Sequence, residues 1–118
     1  MTSLLPGRTG LIAFAMTVGL AGLAPSSPAL AAPPPVTVKI DNFTFNAATI
    51  TVPVGTTVTW VNQDDIPHTV VSDDKTSFRS KVMDTDDKFS FTFNSAGTFG
   101  YFCSIHPHMT GKVVVKAP

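Results

Sequence analysis

What this chain has little of narrows the field first. A single cysteine, Cys103, stands in 118 residues, so no intramolecular disulfide can form. Glutamate is absent: all eight acids are aspartates, and apart from Asp41 they cluster at 64–65, 73–74 and 84–87, as expected of turns and solvated loops. Charge is sparse at 14% and evenly split between eight basic and eight acidic residues. That leaves neither a basic patch to hold nucleic acid nor an acidic tail. The longest apolar stretch, Leu11 to Leu23, has thirteen residues, whereas a membrane-spanning helix needs roughly 20. Beyond residue 31 there is no sustained helical periodicity and no internal repeat.

The beginning of the chain supplies much of the hydrophobic bias. Met1 to Arg8 carries one positive charge, the apolar run follows, and a Pro/Ser/Ala stretch ends in Ala29-Leu30-Ala31. A basic start, a short apolar centre and a small-x-small cleavage pattern read as a secretory signal peptide over residues 1–31. The remaining 32–118 form one small domain of 87 residues with seven basic and eight acidic side chains. Such a protein is expected to be periplasmic or otherwise exported, with no stable membrane insertion after processing. An unpaired thiol in an oxidising compartment must be buried, reactive or occupied.

Pro33-Pro34-Pro35 is a stiff lead-in. After it, apolar and polar residues alternate with the period of two that marks half-buried strands: Val36, Val38 and Ile40; Ile50 and Val52; and most clearly Phe89, Phe91 and Phe93. Thr56 to Val61, His68 to Ser72, Thr98 to Phe102 and Lys112 to Lys116 add further β-rich pieces, with turn signals every 8–12 residues or so. The expectation is an all-β chain of seven or eight strands, an antiparallel sandwich or barrel, with Trp60 and the Phe89, Phe91 and Phe93 set in its core.

Chemistry concentrates in Tyr101-Phe102-Cys103-Ser104-Ile105-His106-Pro107-His108-Met109-Thr110-Gly111. A thiolate, two imidazoles and a thioether lie within seven residues of one another, in a loop between two predicted strands. Soft sulfur donors with imidazole select copper over hard cations, and two His with a Cys in a trigonal plane beneath a weak axial Met form the ligand set of a blue-copper site. The loop offers His106 or His108 for one imidazole. The other is expected from His68, which opens a strand after Asp65-Ile66-Pro67. The spacing Cys-x2-His-x2-Met lets the chain turn back after Cys103, bring His106 to the same ion and carry Met109 to its axial side. Pro107 stiffens the loop.

These residues resemble the cupredoxins, and within them the amicyanin and plastocyanin branch. The short Cys-x2-His-x2-Met loop followed by Gly-Lys-Val-Val-Val is similar to that of amicyanin, and the likeness extends through Asp65-Ile66-Pro67-His68, Lys81-Val82-Met83 and Phe89 to Cys103. The resemblance implies a Greek-key β-sandwich binding one type 1 copper ion, with His68, Cys103 and His106 in plane and Met109 axial. It implies a non-enzymatic carrier of single electrons by Cu(I)/Cu(II) cycling. A monomer is expected, serving redox proteins such as a periplasmic dehydrogenase and a cytochrome c. It also implies a docking patch of Ile66, Pro67 and Pro107 around the edge of His106.

Three positions depart from the family pattern. Thr69 stands where Asn is common and is expected to brace the ligand loop with less reach. Ile105 stands where Pro is usual, and His108, where Phe is usual, puts a titratable group beside the presumed electron exit. The alternative function is a periplasmic copper carrier or copper-resistance protein, which the scarcity of Met outside the loop disfavours. A multicopper enzyme would need more histidines than the three present.

Overall fold

The computed structural model describes residues 31–118 together with eight scattered positions before them (7, 10, 12, 13, 15, 17, 19 and 22). The expected export segment, 1–31, therefore lies almost wholly outside the described residues. Among the described residues there is no helix long and apolar enough to cross a membrane.

Among the described residues eight strands follow one another: β1 Val36–Asp41, β2 Thr44–Asn46, β3 Thr49–Pro53, β4 Thr56–Asn62, β5 Val71–Ser72, β6 Lys88–Phe93, β7 Gly97–Phe102 and β8 Thr110–Lys116. They form two four-stranded sheets, ordered β2-β1-β4-β6 and β3-β8-β7-β5. Strand β4 alternates strictly, with Thr56, Val58, Trp60 and Asn62 buried and the residues between them half-exposed. Its Trp60 packs against Phe89 of its own sheet and Phe78 of the β5–β6 connection, both nearly parallel, and edge-on to Tyr101 of the other sheet. Val38, Ile40, Phe45, Phe93, Tyr101 and Val113 complete the buried centre. Phe89 and Phe91 are only half-buried and pack against that core from its rim.

The sheets are mixed rather than antiparallel, which corrects the sequence expectation. β1 runs parallel to β4, and β3 parallel to β8. Between β1 and β4 the chain forms the β1–β2 hairpin and then crosses to the other sheet as β3, so it re-enters beside β1 in the original direction. The corner from β3 to β4 turns on Gly55, whose φ of 92° is open to glycine without strain.

The piece expected as a strand from His68 to Ser72 is regular only at Val71–Ser72. Upstream, the Ser80 hydroxyl accepts the Val70 N–H at 2.8 Å in place of a backbone carbonyl, which breaks the ladder. Isolated bridges remain, His68 with Met83 and Val71 with Arg79. The His68 bridge keeps both bonds, His68 N–H to Met83 O at 3.1 Å and Met83 N–H to His68 O at 2.9 Å. The His68 backbone is thereby anchored in the framework.

Candidate metal centre

Strand β7 ends at Phe102, which delivers the next residue, Cys103, into the interior at one end of the sandwich. The loop to β8 is pinned by three backbone bonds: His106 N–H to Cys103 O at 3.2 Å, Met109 N–H to His106 O at 2.9 Å and Cys103 N–H to Met109 O at 3.0 Å. Each joins two of the three loop residues singled out from the spacing. His68 arrives from the opposite side on its bridge to Met83. His68, Cys103 and Met109 are buried and His106 is half-buried.

The nitrogen and sulfur atoms converge. Cys103 Sγ lies 3.8 Å from His68 Nδ1 and 3.7 Å from His106 Nδ1. The three residues are the one group of potential ligands found among the described residues, with ligand atoms within 4.8 Å of one another. An ion at the centre of a trigonal plane, bonded to thiolate at about 2.3 Å and imidazole at about 2.0 Å, would separate sulfur from nitrogen by about 3.7 Å. The cradle therefore has the dimensions of a metal site with two imidazoles and one thiolate. His108 is exposed and lies outside this group, whereas His106 lies within it.

Electrostatics favour the ligand forms. Burial pushes the Cys103 thiol up, yet the N–H of Thr69, the His68 ring and the N–H groups of His106 and Ile105 together bring it from 9.0 down to about 6. A thiolate is the form that binds a metal. Thr69 N–H reaches Cys103 Sγ at 3.4 Å. The Thr69 hydroxyl accepts the Ser104 N–H at 2.7 Å and bonds the Ser104 hydroxyl at 2.7 Å. Threonine thus does brace the ligand loop, and Ser104 supplies the reach that a shorter side chain lacks.

Three contributors escaped the sequence reading. Asp64 is not a solvated turn acid: it is 7% exposed and meets His68 Nε2 at 2.9 Å. The His68 bond holds this carboxyl below the usual carboxylate range, aided by the N–H groups of Phe43 and Asp65 against the opposing effect of burial. A carboxylate on the far nitrogen fixes which nitrogen of His68 faces the metal. Asn62 is fully buried; its amide donates to Ile66 O and Met83 O, both at 2.9 Å, and its carbonyl accepts the Asp64 N–H at 3.0 Å. Phe43 sets its ring edge-on to both imidazoles. The pair Asp64 and His68 could have been singled out by nearness in sequence, but neither Asn62 nor Phe43 carries a local signal. Met83 is buried and serves His68 through its backbone.

The family model described as a cupredoxin-like domain matches residues 11–115. The chain belongs to the cupredoxin family. Amicyanin from Paracoccus denitrificans is 34% identical, over 93% of this chain and 86% of its own length. Amicyanin from Paracoccus versutus is 39% identical over 69% of this chain; there the chain spans 64% of the relative's length. Plastocyanin from Tetradesmus obliquus is 33% identical over 61% of this chain and 58% of its own. Among solved structures, an oxidised amicyanin variant superposes with a TM-score of 0.66 at 34% identity, covering 69% of this chain and 81% of that one. A purple cupredoxin from Nitrosopumilus maritimus also gives 0.66, at 33% identity, covering 69% and 99%. This cupredoxin is of the amicyanin and plastocyanin branch, a small type 1 copper protein of electron transfer. A copper-containing nitrite reductase from Thermus scotoductus matches as well, but this chain covers 25% of that protein.

Proposed function

We propose that His68, Cys103, His106 and Met109 would hold one copper ion, which would supply a one-electron couple, and that this cupredoxin passes single electrons between other redox proteins without catalysing a reaction of its own. The observation that carries this reading is the separation of Cys103 Sγ from the two Nδ1 atoms, 3.8 and 3.7 Å, which fits a trigonal ion. The polypeptide keeps its donors still. His68 is held at its backbone by Met83 and at Nε2 by Asp64. Cys103 receives the Thr69 N–H, and the loop closes on itself through three backbone bonds. Rigid ligands serve electron transfer because neither oxidation state requires the donors to rearrange.

The half-buried His106 is the one ligand at the surface. Half-buried Ile66 and exposed Pro67, next to His68 in the chain, together with exposed Ile105 and Pro107, next to His106, are the apolar residues of the face on which we expect a redox partner to dock briefly over a small area. Likeness to amicyanin points to a periplasmic dehydrogenase as donor and a cytochrome c as acceptor. Export through the segment 1–31 and a monomeric mature domain, 32–118, belong to the same reading. Storage or delivery of copper is the lesser alternative, since His68 and Cys103 are fully buried and the metal is not offered for release.

The test is the visible spectrum of the copper-loaded protein before and after ascorbate. An intense blue band that bleaches on reduction and returns on oxidation is expected. Cys103→Ser should abolish it while leaving the circular dichroism of the fold intact. A colourless wild type, or a blue Cys103→Ser protein, would refute the ligand assignment.

A further inference from the structure

The turn between β1 and β2 is built in an unfavourable way. Asp41 pairs with Thr44 across it, leaving a two-residue loop. Both loop residues lie in the left-handed region, Asn42 at φ 49° and Phe43 at φ 57°. Such hairpin turns favour Asn-Gly, because only glycine takes the second position without cost. Asn42 suits its place. A bulky aromatic at positive φ is a true outlier. Burial does not account for it either, since Phe43 is 46% exposed.

Backbone strain that persists where glycine would relieve it points to a role outside the turn. The contacts of Phe43 supply one. Its ring stands edge-on to His68, with centroids 5.7 Å apart at 87°, and edge-on to His106, 5.0 Å apart at 89°. Its N–H donates to Asp64 Oδ2 at 3.1 Å, and the same oxygen lies 2.9 Å from His68 Nε2. The two imidazoles are themselves inclined at 59°, 5.0 Å apart. Among the described residues no other aromatic side chain contacts both. Phe43 thus meets His68 by its ring and, through Asp64, by its backbone, and meets His106 by its ring.

We propose that Phe43 is a positioning residue, a wedge held by a strained turn that fixes the rotation of both imidazoles and covers the His106 side of the copper site. This rests on the copper reading given above. With its ring in place, neither imidazole can swing between oxidation states, so electron exchange is fast. Phe43 and Ile105 are both partly in solvent, 46% and 44% exposed, and would add apolar surface to the docking face.

The experiment compares full-length copper-loaded wild type with Phe43→Gly, Phe43→Leu and Phe43→Tyr. Three quantities are read: melting of the metal-free proteins, the copper hyperfine pattern in electron paramagnetic resonance, and the electron self-exchange rate from line broadening in mixtures of oxidised and reduced protein. Phe43→Gly relieves the turn, so its metal-free form should melt no lower than wild type. Its hyperfine pattern should nevertheless change and its self-exchange slow several-fold. Phe43→Leu keeps apolar bulk but loses the ring edge, and should resemble the glycine variant at the metal. Phe43→Tyr should restore both copper properties.

A blue wild type whose glycine and leucine variants keep its hyperfine pattern and exchange rate would overturn the assignment while leaving the copper reading intact. A metal-free Phe43→Gly protein that melts well below wild type would overturn it too, by showing that the ring is kept for stability. A Phe43→Gly protein that does not fold would count as the same outcome, and the leucine and tyrosine pair still reads the effect at the metal on its own. A wild type without the blue band would remove the copper reading and this assignment together.

Discussion

At the scale of single residues, the aspartates divide by what they accept. Asp64 is spent on the imidazole of His68, whereas Asp74 organises a turn farther along the chain. The Asp74 carboxylate accepts the Ser72 hydroxyl at 2.6 Å, the Thr76 N–H at 2.9 Å, the Ser77 N–H at 2.8 Å and the Ser77 hydroxyl. Those bonds, the Ser72 hydroxyl foremost, hold the Asp74 carboxyl well below the usual range. A carboxyl depressed in the folded state stabilises the fold at any pH above its unfolded value, near 3.8, and loses that contribution as pH falls through the lower folded value. Metal-free protein should therefore lose stability in acid below about pH 4, and Asp74→Asn should flatten that decline. Melting temperatures measured from pH 5 downward decide the matter, and parallel curves for the two proteins would count against it.

At the scale of elements, the pairing of β7 with β8 carries the metal loop, and one glycine makes that pairing possible. Gly111 lies opposite Tyr101, whose ring folds over it. A methyl group there would overlap the Tyr101 ring. Gly111→Ala is expected to cost about 1–3 kcal/mol, the usual range for overpacking a filled interior. Urea unfolding of the metal-free variant would read that loss, and an unchanged midpoint would show that the ring moves aside freely. The sequence signals Gly111 only as a turn residue, because nothing local says that a tyrosine ten positions earlier will face it.

The same divide runs through the rest of the chain. Strands were legible where burial alternates, as in β1, β4 and β6. The three-residue β2 was missed, being too short to show a period. Parallel pairing was missed because it depends on which sheet a strand joins. The loop that closes on Cys103, His106 and Met109 was legible because these residues stand at fixed spacing on one short segment. Asn62, Asp64 and Phe43 were not, since each acts on His68 or its surroundings across gaps that only the folded backbone closes. Thr69 was legible as a departure, but not its partnership with Ser104, 35 residues away.

For the molecule as a whole, metal and fold are linked. The unfolded chain cannot hold two imidazoles and a thiolate at 3.7–3.8 Å, so an ion bound there stabilises the native state by mass action. Free ligand at a thousandfold excess over Kd contributes about 4 kcal/mol, and in a domain of this size each kcal/mol raises Tm by about 4–8 °C. Copper-loaded protein should melt far above the metal-free form, and a chelator should return it to the lower value. Equal melting of the two would mean that copper binds without using the folded cradle.

The parallel pairing of β3 with β8 also sets an order of events in time. β8 lies between β7 and β3 in its sheet, and it comes after the metal loop in the chain. During synthesis the thiol therefore emerges before the strand that will lock its loop, and long after β3, the partner that strand must find. Until β8 docks, Cys103 lacks the carbonyl of Met109 on its N–H and Met109 has no fixed seat. The finished cradle therefore depends on the seating of β8, which follows the metal loop in the chain.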